Sequence, residues 1–543
     1  MSRWTAKNRL NRALAFVGIL FLFSAMAGYG SSDEAFGAMT TPEIPRFQVD
    51  TTVVPPSGKT IAVPAGGDFQ EALDAARPGD TITLEAGATF TGPFTLPNKS
   101  GTGWITIRTS APDRLLPPSG TRIDPTYAAL MPKLEALSGS VIATDPGAHH
   151  YRLIGIEIRP REGRFLYNLI ELNASKSSIE KIPHHIVFDR CYLHGDPKKG
   201  SRRGIAMNSA HTAVIDSYLS DFKEVGADSQ AIAGWNGPGP FKIENNYLEG
   251  AGENVLFGGA DSTIPNLVPS DIEIRHNHFS KPSAWRIGDP GYAGTPWTVK
   301  NLFELKNARR VLIEGNLFEH NWVHAQKGFS ILFTVRNQDG GNPWAVVEDI
   351  TFVNNVIRHT SSAMSILGYD DNHASQQTKR IAIVNNLFED VGGDAWGGQG
   401  VFLQVLDGTA DLLVDHNTVL QAGSIIVAEG KPNPRFVFKN NIVLHNANGI
   451  TGSGAGVGRP ALERYFPGAV VKKNVIVGGN AALYPPENAF PESIAQAGFV
   501  NRTEKDYRLS GSSPFRNAAT DGRNIGVDLD AVSAAGVSSR PRR

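Results

Sequence analysis

A short strand motif with asparagine at its centre recurs along this 543-residue chain. Asparagine is depleted in strands because its amide competes for backbone hydrogen bonds, yet the apolar stretches FVNNVIRH and IVNNLFED each contain two. The spacing runs from 24 residues, between Asn417 and Asn441, to 39, between Asn277 and Asn316. The fourth positions of ten aligned copies are Cys191, Ser217, Asn246, Asn277, Asn316, Asn355, Asn386, Asn417, Asn441 and Asn474. A constant strand unit with variable additions is typical of a solenoid.

The asparagines themselves indicate which solenoid this is. In a parallel β-helix each motif forms one coil, and equivalent residues stack about 4.8 Å apart. Stacked amides can hydrogen-bond along the column, whereas one unpaired buried amide costs about 1–3 kcal/mol. We therefore predict an all-β fold, a right-handed parallel β-helix with an asparagine ladder, in which the asparagines are structural and not catalytic.

The composition agrees with an architecture that grows by repetition. The chain is far too long for one ordinary core. Charged residues make up only 19% of it, and glycine occurs 57 times. The formal net charge of -1 predicts no nucleic-acid partner. A single cysteine, Cys191, excludes an internal disulfide.

The N-terminus has the pattern of an export signal. Basic residues precede the apolar run ALAFVGILFLFSAMA, and Ala25 and Ala27 follow in an A-x-A arrangement. We predict a secreted, periplasmic or cell-surface protein with no stable membrane span after cleavage. The predicted divisions are a signal peptide at 1–30, a Pro/Thr-rich linker at 31–59, the β-helix domain at 60–520 and a loose C-terminal tail at 521–543.

The segment FQEALDAARPGDTITLEAG indicates how the β-helix begins. Phe69, Ala72, Leu73 and Ala76 fall on one side of a short helix that would cover the open end of the core. Here the chain resembles the pectate-lyase-like superfamily of right-handed β-helices, in which a helix followed by PGDTI and a first coil ending GPFTL is common. The resemblance implies this fold over roughly Thr60 to Phe515. It leaves function open, since the fold hosts lyases, hydrolases, esterases, adhesins and tailspikes.

The longest spacings lie between Asn246 and Asn386, so extra loops decorate the middle coils. We predict an outward groove centred on the coils from Asn246 to Asn417. Aromatic faces suit stacking on the C–H faces of sugar rings, and we predict that Trp285, Trp297 and Trp344 bind substrate. These three belong to a group in and beside this region: Trp235, Trp285, Trp297, Trp322, Trp344 and Trp396.

Three strands of this region align without gaps: LFELKN (302–307), LFTVRN (332–337) and LGYDDN (367–372). Alternation across a strand sends Phe303, Leu305, Phe333 and Val335 inward. The candidate site residues are Lys306, Arg336 and Asp371 in one outward column, Glu304 and Tyr369 beside it, and Asp370, Asp339 and His373 in the turns just beyond. Glu304, Tyr369 and His373 are candidates for substrate binding.

A lysine and an arginine on neighbouring coils suit β-elimination on a uronate, which needs a base for the proton α to the carboxylate and a cation to neutralise that carboxylate. Here the chain resembles the chondroitinase-B and alginate-lyase type of β-helix polysaccharide lyases. The resemblance implies Lys306 in ELKNARRVLIEGN as the base and Arg336 in FTVRNQDG as the cation. Calcium is the candidate cofactor, but Val299 and Asn301 stand where that family has calcium-binding carboxylates, so the metal is left unknown.

Two other functions stay open at this level. Glycoside hydrolysis needs two carboxyl groups about 5–9.5 Å apart, which Asp339, Asp370 and Asp371 can supply, although the G-H-G and R-I-K elements of polygalacturonases are absent. A non-catalytic glycan-binding or surface scaffold would use the tryptophan loops alone. Zinc is not predicted, because the fourteen histidines show no H-E-x-x-H spacing and HHIVFDRC around His184 is interpreted as the flank of a strand.

Overall fold

The structure is a computed structural model that describes residues 39–173 and 178–536. Within these residues the strands form three long parallel sheets, of which sheet A has 14 strands, sheet B 13 and sheet C 12. The chain passes from sheet A to sheet B to sheet C and then returns to sheet A one level along. This confirms the predicted right-handed parallel β-helix.

The strand bounds follow the chain within each sheet. Sheet A contains Thr60–Val63, Thr81–Leu84, Ile105–Thr109, His149–Ile154, His184–Asp189, Ala210–Ile215, Phe241–Glu244, Ser270–Arg275, Ala308–Glu314, Val347–Val353, Lys379–Val384, Ala410–Asp415, Val437–Lys439 and Val470–Lys472. Sheet B contains Thr89–Thr91, Lys133–Ala136, Glu157–Pro160, Tyr192–His194, Tyr218–Phe222, Tyr247–Gly250, His278–Ser280, Leu317–Asn321, Val356–Thr360, Leu387–Val391, Thr418–Gln421, Ile442–Leu444 and Val475–Val477. Sheet C contains Phe94–Leu96, Ile142–Thr144, Asn168–Leu172, Arg203–Met207, Gln230–Gly234, Glu253–Phe257, Phe303–Leu305, Phe329–Thr334, Ser362–Leu367, Leu403–Leu406, Ile426–Glu429 and Ile450–Gly452. An antiparallel hairpin pairs Phe499–Asn501 with Asp506–Leu509.

Helices are few and short. The α-helices are Phe69–Ala75, Arg459–Tyr465 and Leu529–Ala534, and the 3-10 helices are Asp113–Leu115, Pro125–Leu130, Ile179–Lys181, Ser283–Trp285, Ala481–Leu483 and Ile494–Ala497. In the described part of the chain no helix has the length and apolarity that crossing a membrane requires. The predicted signal peptide, residues 1–30, lies outside the described residues.

Alternation along the strands sends apolar side chains into one continuous core inside the coil. The predicted inward residues Phe303, Leu305, Phe333 and Val335 are all fully buried there. At the N-terminal end the helix Phe69–Ala75 closes this core, as predicted. Its four predicted apolar residues are buried, and the carboxylate of its N-cap residue accepts a 2.9 Å hydrogen bond from a first-turn N–H.

The asparagine ladder is confirmed at the turn between sheets A and B. From Asn277 onward, each Oδ1 accepts two hydrogen bonds from the asparagine one coil before it. Asn386, for example, receives the backbone N–H of Asn355 at 2.9 Å and its Nδ2 at 3.1 Å. Nδ2 of Asn355 also donates to the carbonyl of Ile313 at 3.0 Å. The column runs one member past the aligned motifs, from Asn474 to Asn488, so these costly buried amides are paired.

Residues 39–52, which we name the strap, lie along the outer face of sheet A. The expectation of a linker does not describe them. Three backbone N–H groups of the strap donate to aspartates on that face: Thr40 to Asp411 at 3.0 Å, Glu43 to Asp349 at 3.0 Å and Arg46 to Asp271 at 2.8 Å. Pro42 and Pro45 are buried between them, and Val49 is buried just after the last donor. A Pro/Thr-rich segment without hydrophobic period therefore packs on the β-helix through partners that lie far away in the sequence.

The C-terminal segment also differs from the expectation of a loose tail. Val527, Leu529 and Val532 pack against Val356 and Leu387 on the outer face of sheet B. The helix Leu529–Ala534 has an aspartate N-cap that accepts two backbone N–H groups. The tail thus covers apolar residues that would otherwise face solvent.

Candidate functional site

A groove of about 280 Å³ lies on the outer face of sheet C. Its lining comes from five consecutive coils and is mainly polar, with three cationic side chains. The chemically active part of the lining is Arg203, Asp228, Gln230, Trp235, Lys300, Lys306 and Gln338. The groove is therefore suited to an anionic or polyhydroxylated ligand.

Strand register builds a polar row across one end of the groove. Arg203, Gln230 and Glu253 are partners at the start of three consecutive sheet C strands. Arg203 Nε donates to Gln230 Oε1 at 2.8 Å, and Gln230 Nε2 donates to Glu253 Oε2 at 2.7 Å. The guanidinium carbon lies 5.3 Å from the ring centre of Trp235 and 5.2 Å from that of Tyr167. Among the described residues no carboxylate forms a salt bridge with Arg203, so its charge is open to the groove.

A buried carboxylate beside a lysine lies behind this row. Glu253 is fully buried, and Lys300 Nζ lies 3.5 Å from its Oε1 and 2.5 Å from Asp228 Oδ2. Burial and the charge of Asp228 raise the pKa of Glu253. Burial alone would lower the pKa of Lys300, but Glu253 and Asp228 outweigh it and raise that pKa. Lys300 is therefore a permanently charged cation at the groove.

Lys306 directly follows the sheet C strand Phe303–Leu305. Its Nζ lies 3.7 Å from Oε1 of Glu304, and its side chain is 16% exposed. Glu304 is buried and is held by hydrogen bonds from Asn301 Nδ2 at 2.8 Å and Thr334 Oγ1 at 3.1 Å. The amine of Lys306 thus faces the groove beside a carboxylate whose position is set by buried contacts.

Lys306 and Arg336 do lie on adjacent coils, because the N–H of Arg336 donates to the carbonyl of Lys306 at 2.9 Å. The ungapped alignment that paired their strands is wrong by two residues, since Glu304 pairs with Leu332 and not with Thr334. The reason is the turn after the strand, where two successive N–H groups donate to the carbonyl of Phe257 and the regular register ends. A slip of two residues keeps the faces unchanged, so the inward and outward assignments survive.

The guanidinium of Arg336 is held from one side. Its Nη1 contacts Oδ1 of both Asp370 and Asp371, and Oδ2 of Asp370 accepts the N–H of Asn337 at 2.6 Å. Asp370 is fully buried, whereas Asp371 is 62% exposed. Burial raises the pKa of Asp371, but the hydrogen bond from Arg336 outweighs this and lowers it. No described residue forms a hydrogen bond with Nε or Nη2 of Arg336, so that edge is available to a ligand.

The remaining candidates of the turns lie near this pair. The loop of Asp339 is held through its N–H, which donates to Asp261 Oδ2 at 3.1 Å. His373 lies against Gly340 in the same region. Tyr369 lies under the ammonium of Lys431, 4.9 Å from its ring centre. The structure thus brings the predicted polar residues to one corner, at the junction of sheets C and A.

Two of the three tryptophans that were predicted to bind substrate do not lie where a sugar can reach them. Trp285 and Trp297 are 5% and 6% exposed and pack with Ala251, Val299 and Trp322. The ammonium of a buried lysine, Lys223, lies 5.2 Å from each ring centre. Their assignment to substrate binding is therefore corrected: the long loop uses them as its own small core. Trp344 is half-buried, and its Nε1 donates to the carbonyl of Leu267 at 3.1 Å.

Several oxygen atoms near Lys306 are of the type that binds calcium. Glu253, Glu304 and Asn301 offer carboxylate and amide oxygens, the ligands that calcium prefers, and Oε1 of Glu253 and Oδ1 of Asn301 are buried without a hydrogen-bond partner in the described structure. However, ammonium groups lie 3.5 Å from Glu253 Oε1 and 3.7 Å from Glu304 Oε1. The lysines already supply the positive charge, so the residues as placed do not fit a calcium ion.

Sequence reasoning missed the Arg203, Gln230 and Glu253 row and Lys300. A signal for the row existed, because the strands RGIAM, QAIAG and ENVLF precede ladder motifs in the same way as the aligned strands did. The predicted outward column began at Lys306 and therefore did not include the row on the preceding strands. Lys300 precedes its strand in a loop, where no periodic pattern marks it.

No protein-family model and no curated protein matches the chain in sequence. Solved structures with a related fold include a PL6 family alginate lyase, with 13% identity over 89% of this chain and 59% of that chain at a TM-score of 0.48. They also include the catalytic unit of a GH87 α-1,3-glucanase from Streptomyces thermodiastaticus, with 14% identity over 82% of this chain and 72% of that chain at a TM-score of 0.46. A third is a surface adhesin of Streptococcus pneumoniae, with 12% identity over 72% of this chain and 90% of that chain at a TM-score of 0.44. This chain spans less than two thirds of the alginate lyase.

These likenesses are to folds and assign no activity. The arrangement of the coils confirms the resemblance to the pectate-lyase-like superfamily at the level of fold. Fold and groove together define the class of structure: a parallel β-helix with a cation-lined groove on sheet C.

Proposed function

We propose that this protein is exported and cleaves a uronate-containing polysaccharide by β-elimination in the groove on sheet C. The observation that carries the proposal is the groove itself, in which Arg203, Lys300 and Lys306 line one surface. Arg203 lies three coils from Lys306, which is about 14 Å along the helix axis. Cations spread over that length suit an acidic polymer better than a single sugar.

The reacting uronate is assigned to Lys306 and Arg336. Arg336 binds the sugar carboxylate through its Nε and Nη2 edge, which no described residue occupies, in the side-on geometry that guanidinium and carboxylate prefer. Asp370 and Asp371 hold the opposite side of the guanidinium, so its orientation is fixed before substrate binds. Neutralising the carboxylate stabilises the negative charge that develops when the neighbouring proton leaves.

Lys306 acts as the base after its ammonium group has released a proton to solvent, and its Nζ then takes the C5 proton of that sugar. The electron pair of the C5–H bond forms the C4–C5 double bond, and the C4–O glycosidic bond breaks. The leaving oxygen takes a proton from the resulting ammonium, which restores the neutral amine. Glu304, at 3.7 Å from Nζ, stabilises the intermediate ammonium, and no step requires calcium.

A product assay tests this reading. Elimination leaves an unsaturated uronate that absorbs in the ultraviolet, whereas hydrolysis leaves only a new reducing end. Screened against alginate, pectate and glycosaminoglycans in chelator, at least one polymer should yield absorbing product. Lys306→Ala should lower kcat by at least about 100-fold, because general base catalysis contributes that much. Lys379→Ala, on the outer face of sheet A and 35% exposed, is the matched control and should act like wild type.

The contrary outcomes are distinct. Full elimination activity in Lys306→Ala would end the proposed mechanism, and an absolute need for added calcium would overturn the calcium-free assignment. Reducing ends without absorbance would indicate a hydrolase. That alternative has less support because a general acid must be protonated, whereas Arg336 lowers the pKa of Asp371 and Asp370 is closed off by its partners. Saturable binding without any cleavage would identify a glycan-binding scaffold.

A further inference from the structure

Five histidines lie together on the outer face of sheet A, away from the groove on sheet C. They come from three consecutive strands, His149–Ile154, His184–Asp189 and Ala210–Ile215. Sequence spacing gave no reason to group them, because the two adjacent pairs are separated by a whole coil. The fold brings together His149, His150, His184, His185 and His211.

The rings form two stacked columns. His149 stacks on His184 with ring centres 4.9 Å apart and planes 3° apart. His150 stacks on His185 at 4.5 Å and 6°, and His185 on His211 at 4.5 Å and 13°. Within each coil the columns touch, because Nδ1 of the two adjacent histidines lie 2.7 Å apart. Ring nitrogens from neighbouring coils are therefore concentrated in a small volume.

We propose that His150, His184 and His185 bind one divalent transition-metal ion, of the zinc, copper or nickel type. One ring nitrogen from each lies within 4.8 Å of one from each of the others. Metal–nitrogen bonds of about 2.0–2.1 Å in a tetrahedral site place ligand nitrogens roughly 3.4 Å apart, so small side-chain rotations complete the site. Imidazole nitrogen is the ligand type that these ions share.

The surroundings support a metal and not an ion-pair network. Among the described residues no carboxylate forms a salt bridge with any of the five histidines. All five are half-buried, which leaves a path for the ion and room for water as a fourth ligand. The ring centre of Trp104 lies 5.3 Å from that of His150, in an edge-to-face contact that limits the site on one side.

A bound ion would connect two consecutive coils. His150 belongs to one coil, and His184 and His185 belong to the next. An ion that binds only this folded arrangement stabilises the fold by mass action. The site is independent of the groove on sheet C, so its failure and that of the proposed lyase activity can be told apart.

The test uses the whole chain, purified without a polyhistidine tag and stripped with chelator. Calorimetric titration with Zn²⁺ should show one saturable site, and Co²⁺ should give the intense visible absorption of a four-coordinate ion. His150→Asn and His185→Asn keep a residue that tolerates the left-handed backbone of these positions (φ 60° and 55°). Each should weaken Zn²⁺ binding at least about tenfold. The control is His359→Asn, which changes a stacked histidine pair on sheet B, with rings 5.5 Å apart, and should leave binding unchanged.

A second readout covers variants that fold poorly. Zn²⁺ should raise the melting temperature of the wild type and of the control, and it should raise that of His185→Asn much less. Absence of saturable Zn²⁺ binding by the wild type would overturn the site. Equal affinity in the wild type and in both His150→Asn and His185→Asn would do the same, since the ion would then sit elsewhere.

Discussion

One backbone position on sheet A carries different chemistry in the two halves of the β-helix. Its residues occupy equivalent positions on the coils of sheet A, with the coil of Pro240 between the two halves, and their φ angles lie between 46° and 60°. The N-terminal half places histidine there, and the C-terminal half alternates aspartate and arginine. The members are His150, His185 and His211, then Asp271, Arg310, Asp349, Arg380, Asp411 and Arg435. Histidine and aspartate are among the residues that accept a left-handed backbone most readily.

The two halves satisfy their polar atoms in different ways. In the C-terminal half each arginine pairs with the aspartate one coil before it, with Nε to Oδ1 distances of 2.6 to 2.7 Å. The same aspartates accept backbone N–H groups of the strap. In the N-terminal half the neutral rings stack and keep nitrogen lone pairs for a ligand. One backbone conformation therefore supports a self-neutralising charge column in one place and a neutral ligand column in another.

The strap fits the charged half of this column because the spacing of its N–H donors matches the spacing of the aspartate acceptors. Its donors are three residues apart, and their acceptors Asp411, Asp349 and Asp271 are two coils apart. Two coils span about 9.6 Å, and three residues of polyproline II span about 9.3 Å. Pro42 and Pro45, which have no N–H to leave unpaired, occupy positions between the donors.

The largest loss of stability is expected from replacing an aspartate at the centre of the alternating aspartate and arginine column. Asp349→Ala removes one of the two carboxylate partners of Arg380, the other being Glu348, and the acceptor of the Glu43 N–H, both at a position only 3% exposed. Losing the contacts of this buried carboxylate with the guanidinium and with the N–H should cost about 3 kcal/mol of stability, measured as a lower melting temperature and urea midpoint. Asp113→Ala, at an exposed aspartate (81% of the side chain), should change neither appreciably. An unchanged midpoint in Asp349→Ala would show that the column contributes no stability.

A second set of residues with left-handed backbone lies at the turn between sheets A and B, and it includes a histidine, His416, for comparison with those of sheet A. His416 has φ 54° and lies between carboxylates, with Nδ1 2.6 Å from Asp415 Oδ1 and Nε2 3.5 Å from Asp521 Oδ1. Burial lowers its pKa, but these two partners outweigh burial and raise the pKa to about 9. The sheet A histidines, without carboxylates, are shifted the opposite way. The same side chain is thus charged in one column and neutral in the other.

The stability from His416 has a defined pH window. Because the folded pKa lies above the unfolded value, the contribution is complete below about pH 6.5 and is lost as pH rises through about 9. We expect the wild type to lose stability on the order of 2 kcal/mol more than His416→Asn between pH 6.5 and 9.5. Melting temperatures of both proteins across this range measure it. Parallel pH profiles for the two would contradict a charged His416.

The parts predictable from the sequence were those with a local signature. Asparagine in the centre of apolar strands is anomalous, and only stacking explains it, so the ladder and the capping helix were predicted correctly. The packing of the strap was not predicted, because a polyproline II segment has no internal hydrogen bonds and the partners of the strap are 225 to 371 residues away. The strand register near Lys306 was wrong because the repeat spacing does not show where a strand ends and its turn begins.

The features of the candidate site also separate into those with a local sequence signature, which were predicted, and those without one, which were not. Alternation placed Lys306 and Arg336 correctly on the outer face, since face depends only on period. Burial of Trp285 and Trp297 was not foreseen, because a loop with several aromatic residues can bury them against each other. The histidine cluster needs residues 35 apart, His149 and His184, to lie in register, and that is a property of coil length and not of any motif.

The smallest expected effect isolates one backbone hydrogen bond of the strap. Arg46 donates its N–H to Asp271 Oδ1 at 2.8 Å, while its side chain forms an exposed pair with Glu43. Arg46→Ala removes the exposed pair and keeps the N–H, so it should cost at most about 0.5 kcal/mol. Arg46→Pro removes both, and proline suits the extended strap, so the difference between the variants should be about 1 kcal/mol. Faster proteolytic cleavage within residues 39–52 of Arg46→Pro than of Arg46→Ala gives a local readout. Equal stability and equal cleavage would mean that the strap is held by its buried prolines and Val49 alone, and that the aspartates of the charged half serve only their arginines.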